Sequence, residues 1–131
     1  MSNELMTKQE GLVSLVDGNS LGEVIKPLKT EIHLFDTYVA GTTHIKDQSV
    51  LDTIQEGDHL VLRREDNKFD SNAILILTES EKKKIGYVPE KDNIVFARLM
   101  DAGKYLIAKI NKIDRKGTYT KISIGIFLVD F

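Results

Sequence analysis

The chain has 131 residues, of which 41% are apolar and 29% charged, so it can bury a core and is not expected to be disordered. It contains no cysteine, which excludes a disulfide scaffold, a thiolate zinc site and a cysteine nucleophile. Its net charge of −2 argues against a protein that holds long duplex DNA through many phosphates, so any footprint on nucleic acid should be short.

The first thirty residues are predicted to form an N-terminal helical arm. Apolar side chains recur at helical spacing from Leu5 to Val16, and Asp17-Gly18-Asn19 breaks that pattern. Ser20-Leu21-Gly22-Glu23 has the form of a capping box and opens one more short turn before Pro27. The pattern changes near Thr30, so we expect an arm over 1–30, which packs on a main domain over 31–131 or on a partner.

The N-terminal region does not read as a targeting or membrane segment. Glu4 and Glu10 fall where a signal peptide needs apolar residues. No run of the sequence approaches the ~20 apolar residues of a membrane span. We therefore expect a soluble, cytoplasmic protein with no membrane partner.

The main domain is predicted to be mainly β. Its predicted strands, in chain order, cover 32–41, 59–64, 73–78, 85–88, 104–113 and 120–131. A brief helical turn is predicted over Ser49–Ile54, and a helix over Asn93–Ala102 with Gly103 at its end. A hairpin turn is predicted at Asp114-Arg115-Lys116-Gly117. Short antiparallel strands with one inserted helix favour a small closed or nearly closed barrel.

A polar loop from Arg64 to Asn72 lies between two apolar strands and carries the clearest functional signal. It combines a guanidinium, carboxylates, amides and one aromatic ring, and Phe69 requires either packing underneath or stacking on a ligand. Asp70 and Asn72 can cap backbone amides or bond a ligand hydroxyl or base edge. Tyr87 offers a second flat ring. Such rings beside short polar acceptors are typical of pockets for single-stranded nucleic acid.

Other chemistry has weaker support. The three histidines, at positions 33, 44 and 59, form no close pair with metal-ligand spacing, and no glycine-rich phosphate motif occurs. Glu65, Asp66 and Asp70 are residues that could hold a divalent cation, but loops use the same types to bond their own backbone. The basic turns Lys82-Lys83-Lys84 and Arg115-Lys116 are either solvated or phosphate contacts. We predict no catalytic residue, no metal and no cofactor.

Several segments, in the same order, resemble the HIRAN domain family. They are Val39-Ala40-Gly41, the stretch from Gly57 to Glu65, the stretch from Asn67 to Ile74, Ile85-Gly86-Tyr87-Val88-Pro89, and the helix end from Leu99 to Lys104. The resemblance covers about 31–131. It implies an OB-like, six-stranded antiparallel barrel with two short helices. In the best-understood relatives this domain captures the 3′ end of single-stranded DNA.

The resemblance also implies which residues form the binding site. Phe69 matches a pocket aromatic, and Asp70 matches the aspartate that recognises the free 3′-hydroxyl. Asn67 matches a polar residue of the same loop, Tyr87 stands where the eukaryotic remodelling enzymes have histidine, and His44 stands at an aromatic position and can stack. The predicted nucleic-acid-binding residues are His44, Arg64, Asn67, Phe69, Asp70, Asn72 and Tyr87.

This sequence departs from the family pattern at two positions where charge matters. Thr43 stands where the DNA-binding relatives have arginine, and Glu90 stands where a basic residue is usual. The loop also lacks a proline after Arg64-Glu65 and is one residue shorter. Losing cations and adding a carboxylate weakens attraction to phosphate.

Three functions follow as hypotheses. The first is a non-catalytic module for single-stranded DNA 3′ ends in DNA repair or replication-fork processing. The second is a protein-interaction or adaptor module that keeps the fold but not DNA-end binding. The third is a nucleic-acid hydrolase that uses the acidic loop. The expected partners are single-stranded DNA or DNA ends, a separately encoded helicase or nuclease, and a second copy of the chain through the N-terminal arm.

Overall fold

The computed structural model describes residues 30–130, which contain six strands, one α-helix and two short 3₁₀ helices. The strands are β1 (Thr30–Tyr38), β2 (His59–Arg64), β3 (Ile74–Thr78), β4 (Lys84–Tyr87), β5 (Tyr105–Lys116) and β6 (Tyr119–Asp130). The α-helix is α1 (Asn93–Asp101), and the 3₁₀ helices are Thr42–His44 and Gln48–Asp52. The arm predicted over 1–30 lies outside the described residues, except for Thr30. None of the helices within 30–130 is long and apolar enough to cross a membrane.

The six strands form one curled antiparallel sheet, so the predicted mainly β, barrel-like fold is confirmed. Their order across the sheet is β1-β6-β5-β2-β3-β4. The two edges meet just after β1, because Ala40 and Tyr87 exchange backbone hydrogen bonds of 2.8 and 2.9 Å. The N–H of Val39 donates to the carbonyl of Ile122 in β6 at 2.9 Å. The segment after β1 thus bridges β6 to β4 and draws the sheet into a barrel-like shape; we call this meeting point the seam.

The core lies inside the curl of the sheet. Residues on the inward faces of the strands are fully buried, among them Ile74, Ile76, Ile85, Ile122, Ile124 and Ile126. β-branched side chains suit this environment because they pack well on a pleated surface. Phe96 and Ala97 of α1 join the same cluster, as do Val50 and Leu51 of the second 3₁₀ helix. Burying each large apolar side chain contributes about 1.5–3 kcal/mol.

The predicted end of the helix at Gly103 agrees with the structure. The backbone of Gly103 has φ +92°, a conformation that a side chain disfavours. Its N–H donates to the carbonyl of Met100, and the N–H of Lys104 donates to Leu99, both at 3.0 Å. These bonds satisfy carbonyls that the helix end would otherwise leave unpaired, as in a Schellman motif.

The hairpin between β5 and β6 is tighter than the sequence predicted. The turn was expected over residues 114–117, whereas β5 continues to Lys116 and only two residues, 117 and 118, form the turn. Gly117 has φ +58°, which suits the first position of a two-residue hairpin turn. In this extension Asp114 lies opposite Lys121, a register in which opposite charges favour pairing.

Candidate functional site

The loop between β2 and β3 is folded by its own polar side chains. The Oδ1 atom of Asn67 accepts from the N–H groups of Phe69 and Asp70, at 2.9 and 2.7 Å. The Oδ1 atom of Asp70 accepts from the N–H of Asn72 at 2.9 Å. Such bonds give an Asx-type turn and fix the backbone on either side of Phe69. As a result Phe69 stands at the tip of an ordered turn with 86% of its surface exposed.

Arg64, the last residue of β2, fastens the loop to the helix. Its guanidinium donates to the carbonyls of Ala73 at 2.6 Å and Ser71 at 2.9 Å. It also donates to both carboxylate oxygens of Asp101, at 2.9 and 3.2 Å. The hydrogen bond with Asp101 raises the pKa of Arg64, and the same bond lowers the pKa of Asp101. Four donor contacts inside the protein make Arg64 a residue that positions the loop.

Glu65 connects the loop to β4. Its Oε1 atom accepts from Asn67 Nδ2 at 2.9 Å and from the hydroxyl of Tyr87 at 2.7 Å. These two bonds lower the pKa of the Glu65 carboxyl, Asn67 contributing most, and the charge of Lys84 adds to the effect. In the sequence, Glu65 stands out as a member of an acidic cluster and as the end of the family-like segment that begins at Gly57. Its role was not visible because the partner Tyr87 lies on another strand.

Asp70 is held from the helix as well as from its own loop. Its Oδ2 atom accepts from Asn93 Nδ2 at 2.8 Å, and Asn93 is only 2% exposed. Asn93 is not among the predicted site residues, because an amide at the start of a helix usually faces solvent. A buried amide needs a partner, and here that partner is a predicted site carboxylate.

An open pocket of about 330 Å³ brings part of the predicted site together. It is lined by Ala40, Gly41, Asn67, Phe69, Asp70, Ala73, Tyr87, Val88 and Glu90. These residues come from the segment after β1, the β2–β3 loop and the end of β4, so the pocket lies at the seam. Four predicted residues, Asn67, Phe69, Asp70 and Tyr87, therefore converge there. Of the described residues that line it, none is lysine or arginine, and Glu90 adds a carboxylate.

The other three predicted residues lie outside the pocket lining. Arg64 is bonded beneath the loop, and Asn72 is half-buried with its N–H on Asp70. His44 lies in the first 3₁₀ helix and lines a second cavity of about 470 Å³. Two members of the acidic cluster already have partners, because Glu65 and Asp70 accept hydrogen bonds from other side chains. Across residues 30–130, no three His, Asp or Glu side chains lie close enough together to hold a metal ion.

A curled antiparallel sheet with an open aromatic pocket at its seam defines a small barrel-like binding domain. The model of the HIRAN domain family matches residues 32–128, and the chain belongs to that family. HIRAN is a binding domain, generally non-catalytic, and membership in the family supports nucleic-acid binding. None of the curated proteins matches the sequence significantly.

Two crystal structures are similar to this chain. One is a protein from Lactobacillus plantarum, with a TM-score of 0.72 and 26% identity over 79% of this chain and 99% of that chain. The other is the HIRAN domain of human HLTF, with a TM-score of 0.53 and 13% identity over 77% of this chain and 74% of that chain. At 13% identity the second likeness shows the fold alone.

Proposed function

We propose that this protein is a non-catalytic module that binds the 3′ end of single-stranded DNA, in DNA repair or replication-fork processing. The observation that carries the proposal is the convergence of Phe69, Tyr87 and Asp70 on one open pocket. Two rings and a fixed carboxylate suit a terminal nucleotide, which presents a flat base and a sugar hydroxyl.

The rings supply the stacking surface. Phe69 is 86% exposed, so its ring is open to a base that enters the pocket. The bonds from Asn67 hold the turn around it, so little freedom is lost when a base stacks. Stacking of one base on an aromatic side chain contributes about 1–3 kcal/mol.

The carboxylate of Asp70 supplies the acceptor for the terminal hydroxyl. Each of its oxygens already accepts one bond, from Asn72 or from Asn93, and a carboxylate oxygen has room for a second. The group is therefore oriented before the ligand arrives. A terminal phosphate in the same place would meet the charges of Asp70 and Glu90, so a free hydroxyl is the preferred end.

Fluorescence anisotropy with short labelled strands tests the proposal. We expect a strand with a free 3′-hydroxyl to bind at least about tenfold more tightly than the same strand with a 3′-phosphate, which corresponds to about 1.4 kcal/mol. A 5′-phosphate should have little effect. Equal binding of both 3′ ends, or no binding at low salt, would overturn the proposal.

A substitution in the pocket completes the experiment. Phe69→Ala should weaken binding about tenfold or more, because one stacking surface is lost. Tyr119→Ala is the matched control, since Tyr119 is an exposed aromatic residue in the β5–β6 hairpin and does not line the pocket. An equal loss in both variants would show that binding does not use the pocket. Asp70→Asn should reduce the preference for the free hydroxyl.

The second candidate function is a protein-interaction or adaptor module. The observation that favours it is Glu90 in a pocket whose described lining residues include no lysine or arginine. Under this alternative, neither strand binds at low salt and Phe69→Ala changes nothing in the titration.

Three further points stay predictions: a helicase or nuclease partner, self-association through the N-terminal arm, and a domain boundary near Thr30. Deletion of residues 1–29 followed by size-exclusion chromatography tests the self-association.

A further inference from the structure

A second cavity with a basic lining lies beside the pocket. Its volume is about 470 Å³, and we call it the basic groove; its lining residues are His44, Ile45, Lys46, Asp47, Val50, Lys83 and Lys84. Three lysines, one histidine and one carboxylate belong to this lining. The groove therefore has the positive charge that the pocket lacks, although the whole chain carries a net charge of −2.

The basic groove neighbours the pocket along two segments of chain. On one side, Gly41 lines the pocket and His44 lines the groove. The carbonyl of Gly41 accepts a hydrogen bond from the N–H of His44 at 3.0 Å. On the other side, Lys84 lines the groove while Tyr87, three residues later in the same strand, lines the pocket. The Nζ atom of Lys84 lies 3.1 Å from the Tyr87 hydroxyl and 4.4 Å from the centre of its ring.

The single carboxylate of the groove is occupied by its own helix. Asp47 accepts hydrogen bonds from the N–H and the hydroxyl of Ser49, at the start of the second 3₁₀ helix. The bond from the Ser49 hydroxyl contributes most to the lowered pKa of Asp47, and the charge of Lys83 contributes as well. The Asp47 carboxylate, which caps a helix, offsets one lysine charge, and Glu81 offsets a second, because its Oε1 atom lies 3.7 Å from Nζ of Lys83. The remaining balance in the groove is the charge of one lysine.

We propose that the basic groove holds the phosphodiester backbone of the nucleotides that precede the strand end. This inference rests on the proposed function, because it extends the path of a strand whose last nucleotide enters the pocket. The strand runs from Phe69 past Tyr87 and Lys84 and into the groove, where Lys46 and Lys83 contact phosphates. The positive charge for the backbone is then supplied by the lysines of the groove, in place of the arginine expected at Thr43.

The test compares two double variants that remove equal charge. In the groove variant Lys46 and Lys83 are replaced by glutamine; in the control variant the same change is made at Lys116 and Lys121 of the β5–β6 hairpin. Lys84 is kept, because its Nζ atom contacts Tyr87 of the pocket. Affinities for a dinucleotide and a hexanucleotide of thymidine, both with a free 3′-hydroxyl, are measured by anisotropy and calorimetry over a range of salt concentrations.

The groove variant should bind the hexanucleotide at least about tenfold more weakly, while its affinity for the dinucleotide changes by less than about twofold. The slope of log affinity against log salt should fall by about 1.4, since each of the two phosphate contacts on a single strand contributes about 0.7. The control variant should bind both oligonucleotides as the wild type does.

Two results would overturn the groove proposal alone, and both are distinguishable from failure of the pocket. If both double variants weaken hexanucleotide binding equally, the effect is one of net charge and the groove has no special part. If the wild type binds both lengths equally well, the groove holds no backbone and the 3′-end proposal stands. If groove-dependent binding persists with a 3′-phosphate end, the groove proposal stands and the 3′-end proposal fails; no binding of any strand overturns both.

Discussion

At the scale of single residues, Glu65 organises the site without lining it. Its carboxylate accepts from Asn67 of the loop and from Tyr87 of β4, so it sets the distance between the two walls of the pocket. Hydrogen bonds to a charged group are roughly twice as strong as neutral ones. The ionised form of Glu65 is therefore part of the site's architecture.

The lowered pKa of Glu65 predicts a pH dependence of stability. Because its pKa in the folded state lies below the ordinary value of 4.5, Glu65 stabilises the fold above that value. This contribution, about 1 kcal/mol for a half-buried carboxylate, is lost as the pH falls through the lower folded pKa. Glu65→Gln should therefore be less stable than the wild type at pH 7, and the difference should shrink below pH 4.5. Urea denaturation across this range measures it, and a pH-independent difference would contradict the prediction.

The residues that the sequence predicted and those it missed differ in a physical way. Phe69 and Asp70 could be predicted from the sequence, because an aromatic ring in a polar loop is unusual and needs an explanation. Glu65 and Asn93 could not, because a carboxylate or amide beside a strand or helix usually faces solvent. Only the fold shows that each has a partner far away in the chain.

At the scale of elements, the β2–β3 loop depends on Arg64. Its guanidinium joins two loop carbonyls to the last residue of α1, so strand, loop and helix meet at one side chain. A guanidinium can do this because its donors form a rigid planar fork, whereas a lysine presents one compact charge. Arg64 was predicted to bind the ligand, because the sequence does not show the direction of its side chain. In the structure the guanidinium is bonded within the protein.

Replacing Arg64 by lysine should loosen the loop while the sheet stays intact. Losing the bonds to the carbonyls of Ser71 and Ala73 should cost about 1–2 kcal/mol in the free energy of unfolding. The backbone amides of Asp70 and Ala73 should then exchange faster with solvent, and strand binding should weaken. Hydrogen exchange followed by mass spectrometry measures the first effect. Asp101→Asn, which leaves the carbonyl bonds in place, should show a smaller change in the same peptides.

At the scale of the whole molecule, barrel closure at the seam depends on a glycine. A Cβ atom at Gly86 would lie 2.4 Å from the carbonyl oxygen of Ala40 and 2.5 Å from Cγ1 of Val39. The two sheet edges can therefore approach only because this position has no side chain. The alternating apolar pattern predicted the six strands, because periodicity reports which face is buried. It did not predict the seam, because a close backbone approach leaves no periodic trace.

Gly86→Ala should open the seam. We expect a loss of about 3 kcal/mol in the free energy of unfolding, since the clash involves backbone atoms that cannot turn aside. Gly103→Ala is the control, because Gly103 also has positive φ but a Cβ there meets nothing within 4 Å. That change should cost only about 1 kcal/mol. Similar losses in both variants, measured by urea denaturation, would contradict the role of the seam.

The seam also couples ligand occupancy to closure of the barrel. The pairing of Ala40 with Tyr87 joins parts of the chain that are distant in sequence, so forming it closes a long loop and costs conformational entropy. Since the pocket takes residues from both sides of this pairing, a partly folded chain has no complete site. A ligand that binds only the closed form adds about 2.7 kcal/mol to its stability at a hundredfold excess over Kd. Local opening of the domain would then become rarer as the ligand accumulates, so that the lifetime of the folded domain follows the supply of its ligand.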